Sequence, residues 1–111
     1  EGKNFDGSFP LGPWLVTSDE IEDPSKLHLS LRVNGETRQS ESMEKAFFSV
    51  GDVIEYWSAR MTLNPGDVFT LGTPAGVGYF SKDREAKLLH AGDVIEAEVS
   101  GIGTLVNRIV E

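Results

Sequence analysis

The sequence contains no cysteine, which excludes a disulfide framework, a thiolate zinc site and a cysteine nucleophile. Cytoplasmic residence is compatible with that lack. Long apolar runs are missing as well: none approaches the ~20 residues of a helical membrane span, and Glu1 to Phe9 lack the basic and apolar regions of a signal peptide. The chain begins without methionine, which reads as a processed or excised piece. Basic residues are few, ten against eighteen acidic, for a formal charge of -8. Such a field repels phosphate backbones and anionic membrane surfaces, so neither nucleic acid nor a membrane is expected as a partner. It also disfavours an anionic small molecule, whose site would need local cations, backbone N–H donors or a bound metal. Histidine is scarce: His28 and His90 stand alone, neither with a second ligand at metal-binding spacing, and both read as surface residues.

What is present fits one globular domain. The 111 residues are 39% hydrophobic and 25% charged, and a chain of that size can bury roughly 65% of its unfolded surface in a modest core. Phe5 to Pro13, dense in Gly and Pro, is expected as an irregular loop. Trp14-Leu15-Val16-Thr17 reads as a short apolar strand. Leu27, Leu29, Leu31 and Val33 alternate with polar residues in the period of a strand with one buried face. Asn34-Gly35 follows, the dipeptide of a two-residue type I′ turn, so Glu36 to Ser40 should return as the antiparallel partner.

Ser49 can cap a helix in which Val53, Ile54, Trp57 and Met61 recur at helical spacing, with Asp52 and Glu55 near its positive end and Asn64-Pro65-Gly66 as its stop. Val68 to Leu71 looks like a buried strand. Lys82 to His90 is weakly helical, and Val94 to Val99 and Thr104 to Val110 read as strands. Gly-Asp-Val occurs at Gly51, Gly66 and Gly92; the unequal spacing points to shared turn chemistry rather than duplication. The chain is thus expected to be mainly β with short helices (α+β). Trp14 and Trp57 are expected in a core or a subunit interface.

Chemistry concentrates in Leu71-Gly72-Thr73-Pro74-Ala75-Gly76-Val77-Gly78. Its glycines let backbone approach a ligand, Pro74 stiffens the turn and Thr73 offers a hydroxyl, a combination suited to an oxyanion or carboxylate. No Lys-Ser/Thr pair follows, so it is not a P-loop, and the glycine spacing is not that of a dinucleotide fingerprint. On composition alone a tight structural turn is the simpler reading. Lys3, ahead of Phe5-Asp6-Gly7, could hold an enolate or carboxylate oxygen or be a solvated surface lysine. Asp19-Glu20 with Glu22-Asp23 lacks the alternating ligands and central glycine of a calcium loop and reads as a solvated turn.

Gly2-Lys3-Asn4-Phe5-Asp6, Pro10-Leu11-Gly12-Pro13-Trp14, Val33-Asn34-Gly35-Glu36, Thr62-Leu63-Asn64-Pro65-Gly66-Asp67-Val68, Gly72 to Gly78 and Gly101-Ile102-Gly103-Thr104-Leu105 occur in one order. In that order the chain resembles the C-terminal half of the fumarylacetoacetate hydrolase superfamily, in particular its 2-hydroxyhepta-2,4-diene-1,7-dioate isomerase-like branch. The resemblance implies a mixed β-sandwich or barrel roll, of which residues 1–111 form the C-terminal portion, a homodimer, and Mg²⁺ or Mn²⁺ as cofactor. It implies an enzyme that isomerises, decarboxylates or hydrolyses small 2-oxo or 2-hydroxydienoic acids through a metal-stabilised enolate.

The resemblance makes Lys3 the catalytic lysine that stabilises negative charge on the substrate, and Thr73 the residue whose hydroxyl and neighbouring amides hold a substrate carboxylate. Gly72 adjoins it in the substrate-binding loop, and Asp6 is structural. Leu71 departs from the family's usual threonine. The family's metal ligands, a Glu-X-Glu pair and an aspartate, precede the lysine segment, so no residue of this chain is assigned to the metal. A second reading stays open: a catalytically silent piece that serves dimerisation or structure.

Overall fold

A computed structural model describes residues 6–111. Four antiparallel strands form one sheet in the order β2-β1-β3-β4. β1 (His28–Val33) and β2 (Glu36–Ser42) are the expected hairpin. Its turn has φ of 50° at Asn34 and 79° at Gly35, the left-handed pair that a type I′ turn requires. β3 (Val94–Val99) and β4 (Gly103–Arg108) form a second hairpin, and β3 joins β1 so that Leu29 faces Val99, Leu31 faces Ala97 and Val33 faces Ile95. These residues make one apolar face. The opposite face is polar, where Arg32 lies 3.5 Å from Glu96 and 3.0 Å from Glu98.

α1 (Val50–Ser58) starts on a complete capping box: Ser49 Oγ accepts from the Asp52 N–H at 3.1 Å, and the Asp52 carboxylate accepts from the Ser49 N–H at 2.8 Å. The helix stops earlier than its apolar spacing suggests. The Trp57 carbonyl takes both the Arg60 and Met61 N–H groups, which closes the α ladder before Asn64-Pro65-Gly66 is reached. α2 (Arg84–Lys87) is a single turn. Asp52, Asp67 and Asp93 each accept the N–H of the residue three positions earlier. That common bond is the turn chemistry behind the three Gly-Asp-Val segments.

Two expected strands do not form. Trp14 to Thr17 and Val68 to Leu71 pair with no strand among the described residues, and Leu15 is 93% exposed. Apolar composition favours a strand only where a neighbouring edge supplies the ladder, and the four-stranded sheet reaches neither segment.

The expected core is also thinner than the composition suggests. Only Val33, 6% exposed, is a buried hydrophobic residue among those described. The chain exposes 8961 Å², about half as much again as the ~6000 Å² expected of a self-contained domain of this mass. Trp14 and Trp57 accordingly lie outside any core: Trp14 donates its indole N–H to the Ile102 carbonyl at 2.7 Å, and Trp57 stacks on Phe69. Phe47, Phe48, Val50 and Ile54 present a further apolar surface to solvent. No helix among the described residues is long and apolar enough to cross a membrane.

Candidate functional site

The site begins with a β-bulge. β2 pairs with β1 as Leu31 with Gln39 but Arg32 with Thr37, so Arg38 is an extra residue. In a regular strand Glu36 and Gln39, three apart, would point to opposite faces. With the bulge, Glu36 opposes Val33 and Gln39 opposes Leu31, and both fall on the apolar side of the hairpin.

Across that side lies the loop Leu71 to Gly78. Gly76 is seated against the bulge: at its φ of 109°, a Cβ would come 1.9 Å from the Arg38 carbonyl oxygen. Gly78 fits against α2 in the same way, a Cβ there meeting the Lys87 carbonyl oxygen at 2.3 Å. Gln39 secures the loop between these contacts. Its Nε2 donates to Thr73 Oγ1 at 2.9 Å and to the Pro74 carbonyl at 2.8 Å.

Thr73 is exposed and lines three depressions. One, of about 540 Å³, runs between the loop and the bulge and is bordered by Glu36, Arg38, Phe80 and Lys87. A second, of about 490 Å³, lies toward Met43, Lys45 and Phe47 and includes Gly72, and a third, of about 190 Å³, is bordered by Leu31, Val33 and Gln39. The first carries two cations and one carboxylate, so the local charge is positive within a chain of formal charge -8. Glu36 pairs with Lys87 and, at 3.3 Å, with Arg38. The Lys87 ammonium, aided by Arg38 and opposed by partial desolvation, holds the Glu36 carboxyl below the usual carboxylate range. Arg38 Nε is buried with no hydrogen-bond partner.

The loop expected from sequence is therefore held against the hairpin, with Gly72 and Thr73 at the rim of the second depression. Lys3 lies outside the described residues. Asp6 is exposed. His28 bonds Ser40 Oγ at 2.9 Å on an exposed part of the hairpin, and Asp23 spends its carboxylate on the Ser25 N–H and hydroxyl. Among the described residues no three His, Cys, Asp or Glu side chains are grouped to hold a metal ion. These residues therefore do not provide a site for the divalent cation that the resemblance implies.

Sequence patterning does not single out Gln39, Arg38 or Lys87. Gln39 and Arg38 look like ordinary strand residues, because a bulge leaves no mark in the pattern of β2. Lys87 sits in a weakly helical stretch with no chemical cue.

Residues 1–110 match the family model described as fumarylacetoacetate (FAA) hydrolase C-terminal. A mitochondrial oxaloacetate tautomerase of Rattus norvegicus is 44% identical over 109 residues, covering 98% of this chain and 34% of the relative. Among solved structures, a fumarylacetoacetate hydrolase from Exiguobacterium antarcticum superposes with a TM-score of 0.89 at 42% identity, over 98% of this chain and 38% of that one. A maleylpyruvate hydrolase from Sphingobium sp. SYK-6, in complex with manganese(II) and pyruvate, gives 0.79 at 33% identity, over 89% and 34%. The chain thus spans about a third of the length of the curated relatives it matches. The mainly β architecture, a partial domain with short helices, agrees with these likenesses. With a family model matching residues 1–110 and a close superposition on a solved member, the chain belongs to the fumarylacetoacetate hydrolase family.

Proposed function

We propose that the chain is the C-terminal portion of a cytoplasmic, homodimeric enzyme that isomerises, decarboxylates or hydrolyses small 2-oxo or 2-hydroxydienoic acids. In this reading it supplies the wall that holds the substrate's carboxylate. The observation that carries it is the position of Thr73. Thr73 is exposed and lines three depressions, one of them bordered by Arg38 and Lys87, so an anion there meets a donor and a locally positive field. Relatives named for oxaloacetate and maleylpyruvate, and a neighbour holding pyruvate, fit an oxo-acid substrate.

Thr73 donates to a carboxylate oxygen, and Gly72 gives the backbone room beside it. Lys3 stabilises the negative charge that develops when a proton leaves the carbon next to the oxo group. The family resemblance and the manganese-bound neighbour support Mg²⁺ or Mn²⁺ as cofactor. Its ligands are expected from sequence preceding Lys3, and the roles of Thr73 and Lys3 do not depend on their geometry. Homodimerisation is supported by the apolar surface around Phe47 and Ile54. By itself the 111-residue chain is proposed to be inactive, since its described residues group no metal ligands.

The test is turnover of oxaloacetate, an acylpyruvate and a 2-hydroxydienedioate by the full-length protein, with Thr73→Val and Lys3→Met compared to wild type. Loss of one hydrogen bond to a charged group is expected to lower kcat/KM by roughly 10- to 100-fold for Thr73→Val. Unchanged kcat/KM in both variants on every active substrate refutes the reading. Titrating Mn²⁺ into the isolated chain should give no tight stoichiometric binding; tight binding would contradict the placement of the ligands elsewhere.

A further inference from the structure

We propose that Gln39 is a positioning residue that sets the direction of the Thr73 hydroxyl, and so makes Thr73 a donor toward the substrate. The inference rests on the proposed role of Thr73 as carboxylate holder.

A threonine hydroxyl has one hydrogen to donate and two lone pairs that accept, and a partner that can only donate leaves the hydrogen for a ligand. Here that partner is fixed. The side-chain amide of Gln39 reaches two loop atoms, Thr73 Oγ1 at 2.9 Å and the Pro74 carbonyl oxygen at 2.8 Å. A carbonyl oxygen can only accept, so the atom of the amide that faces Pro74 must be its nitrogen. The same nitrogen faces Thr73. Its two hydrogens therefore serve two acceptors, and Thr73 Oγ1 receives one of them. The hydroxyl's own hydrogen is directed away from Gln39, and it makes no hydrogen bond to another acceptor among the described residues. Thr73 is exposed and lines three depressions, so the hydrogen is left for a ligand held there.

The consequence is chemical selection. A carboxylate or enolate oxygen finds a pre-oriented donor, already polarised because its oxygen accepts a bond from Gln39. A ligand that presents a donor meets only the one remaining lone pair of Thr73 Oγ1, since Gln39 occupies the other. The arrangement also depends on the bulge, because only the register of Gln39 opposite Leu31 turns the amide to the loop side.

The experiment measures kcat/KM for oxaloacetate and the inhibition constant of pyruvate in the full-length protein. Gln39→Leu is made in three backgrounds: wild type, Thr73→Ser and Thr73→Val. Gln39→Leu should lower kcat/KM by roughly 10-fold in the first two, where a hydroxyl is present, and weaken pyruvate binding alike. In the Thr73→Val background it should change both by less than about twofold, because nothing is left to orient. A purely structural role for Gln39, acting through the Pro74 carbonyl, would give the same loss in all three. That result, or no loss in wild type, overturns the proposal.

Gln39→Glu serves if the leucine variant does not fold. Its carboxylate accepts the Thr73 hydrogen and turns the donor inward, so kcat/KM should fall at least as far; wild-type activity would overturn the proposal. If Thr73→Val itself leaves kcat/KM unchanged, the carboxylate-holder reading fails first and takes this inference with it. A loss for Thr73→Val without one for Gln39→Leu removes the inference alone.

Discussion

Replacing Gly76 with alanine tests whether the loop is built against the bulge or only rests near it. Two separate costs arise. At a φ of 109° an L-residue is strained, by about 1–2 kcal/mol on the scale of left-handed backbone. The added Cβ would also lie 1.9 Å from the Arg38 carbonyl oxygen, when real contacts stay above 3.0 Å. Loop and strand must therefore separate by about 1 Å, and overpacking of this sort costs about 1–3 kcal/mol. Gly72→Ala is the control. Its φ of 103° imposes similar strain, but nothing lies within 4 Å of the new Cβ. The difference between the variants isolates the contact. At roughly 2–4 °C per kcal/mol for a chain of two to three hundred residues, Gly76→Ala should melt about 2–12 °C below Gly72→Ala in the full-length protein. A shift of ~1 Å at Thr73 should also cost on the order of 100-fold in kcat/KM. Equal melting temperatures in the two variants, together with wild-type kcat/KM for Gly76→Ala, would mean that the loop does not bear on the bulge.

Two further outcomes concern the supports of the site. Ser49→Ala removes the hydroxyl that accepts the Asp52 N–H and should destabilise by about 1 kcal/mol, read by chemical denaturation. Glu36→Gln should flatten the acid limb of stability. The Glu36 carboxyl is held below its ordinary value near 4.5 by Lys87, so its contribution is fully present above that pH and is lost as pH falls through the depressed value. Melting temperatures of wild type should therefore drop more steeply below pH 4.5 than those of the variant, and salt at about 1 M should narrow the gap. Parallel curves would show that the pair with Lys87 contributes nothing.

Features whose causes lie within a few residues are legible in the sequence alone. Asn34-Gly35 names its turn because few other pairs adopt two positive φ values in succession, and the flanking alternation then dictates the hairpin. Ser49 and Asp52 form a capping box because their spacing alone brings each side chain to the other's N–H. The order of six short motifs carries the family, and the glycines of Gly72 to Gly78 mark the loop. Apolar runs are less informative. Trp14 to Thr17 and Val68 to Leu71 have the composition of strands, but a strand also needs an edge to pair with, which no local pattern reveals.

How the loop is held, by contrast, is a matter of tertiary structure. One extra residue at Arg38 leaves no trace in the alternation of β2, yet it places Glu36 and Gln39 on the same side of the hairpin. That inversion brings the Gln39 amide to Thr73 and Pro74, sets Glu36 between Arg38 and Lys87, and presents the Arg38 carbonyl against which Gly76 must sit. A bulge is settled by the register between two strands, and register is a property of the pair.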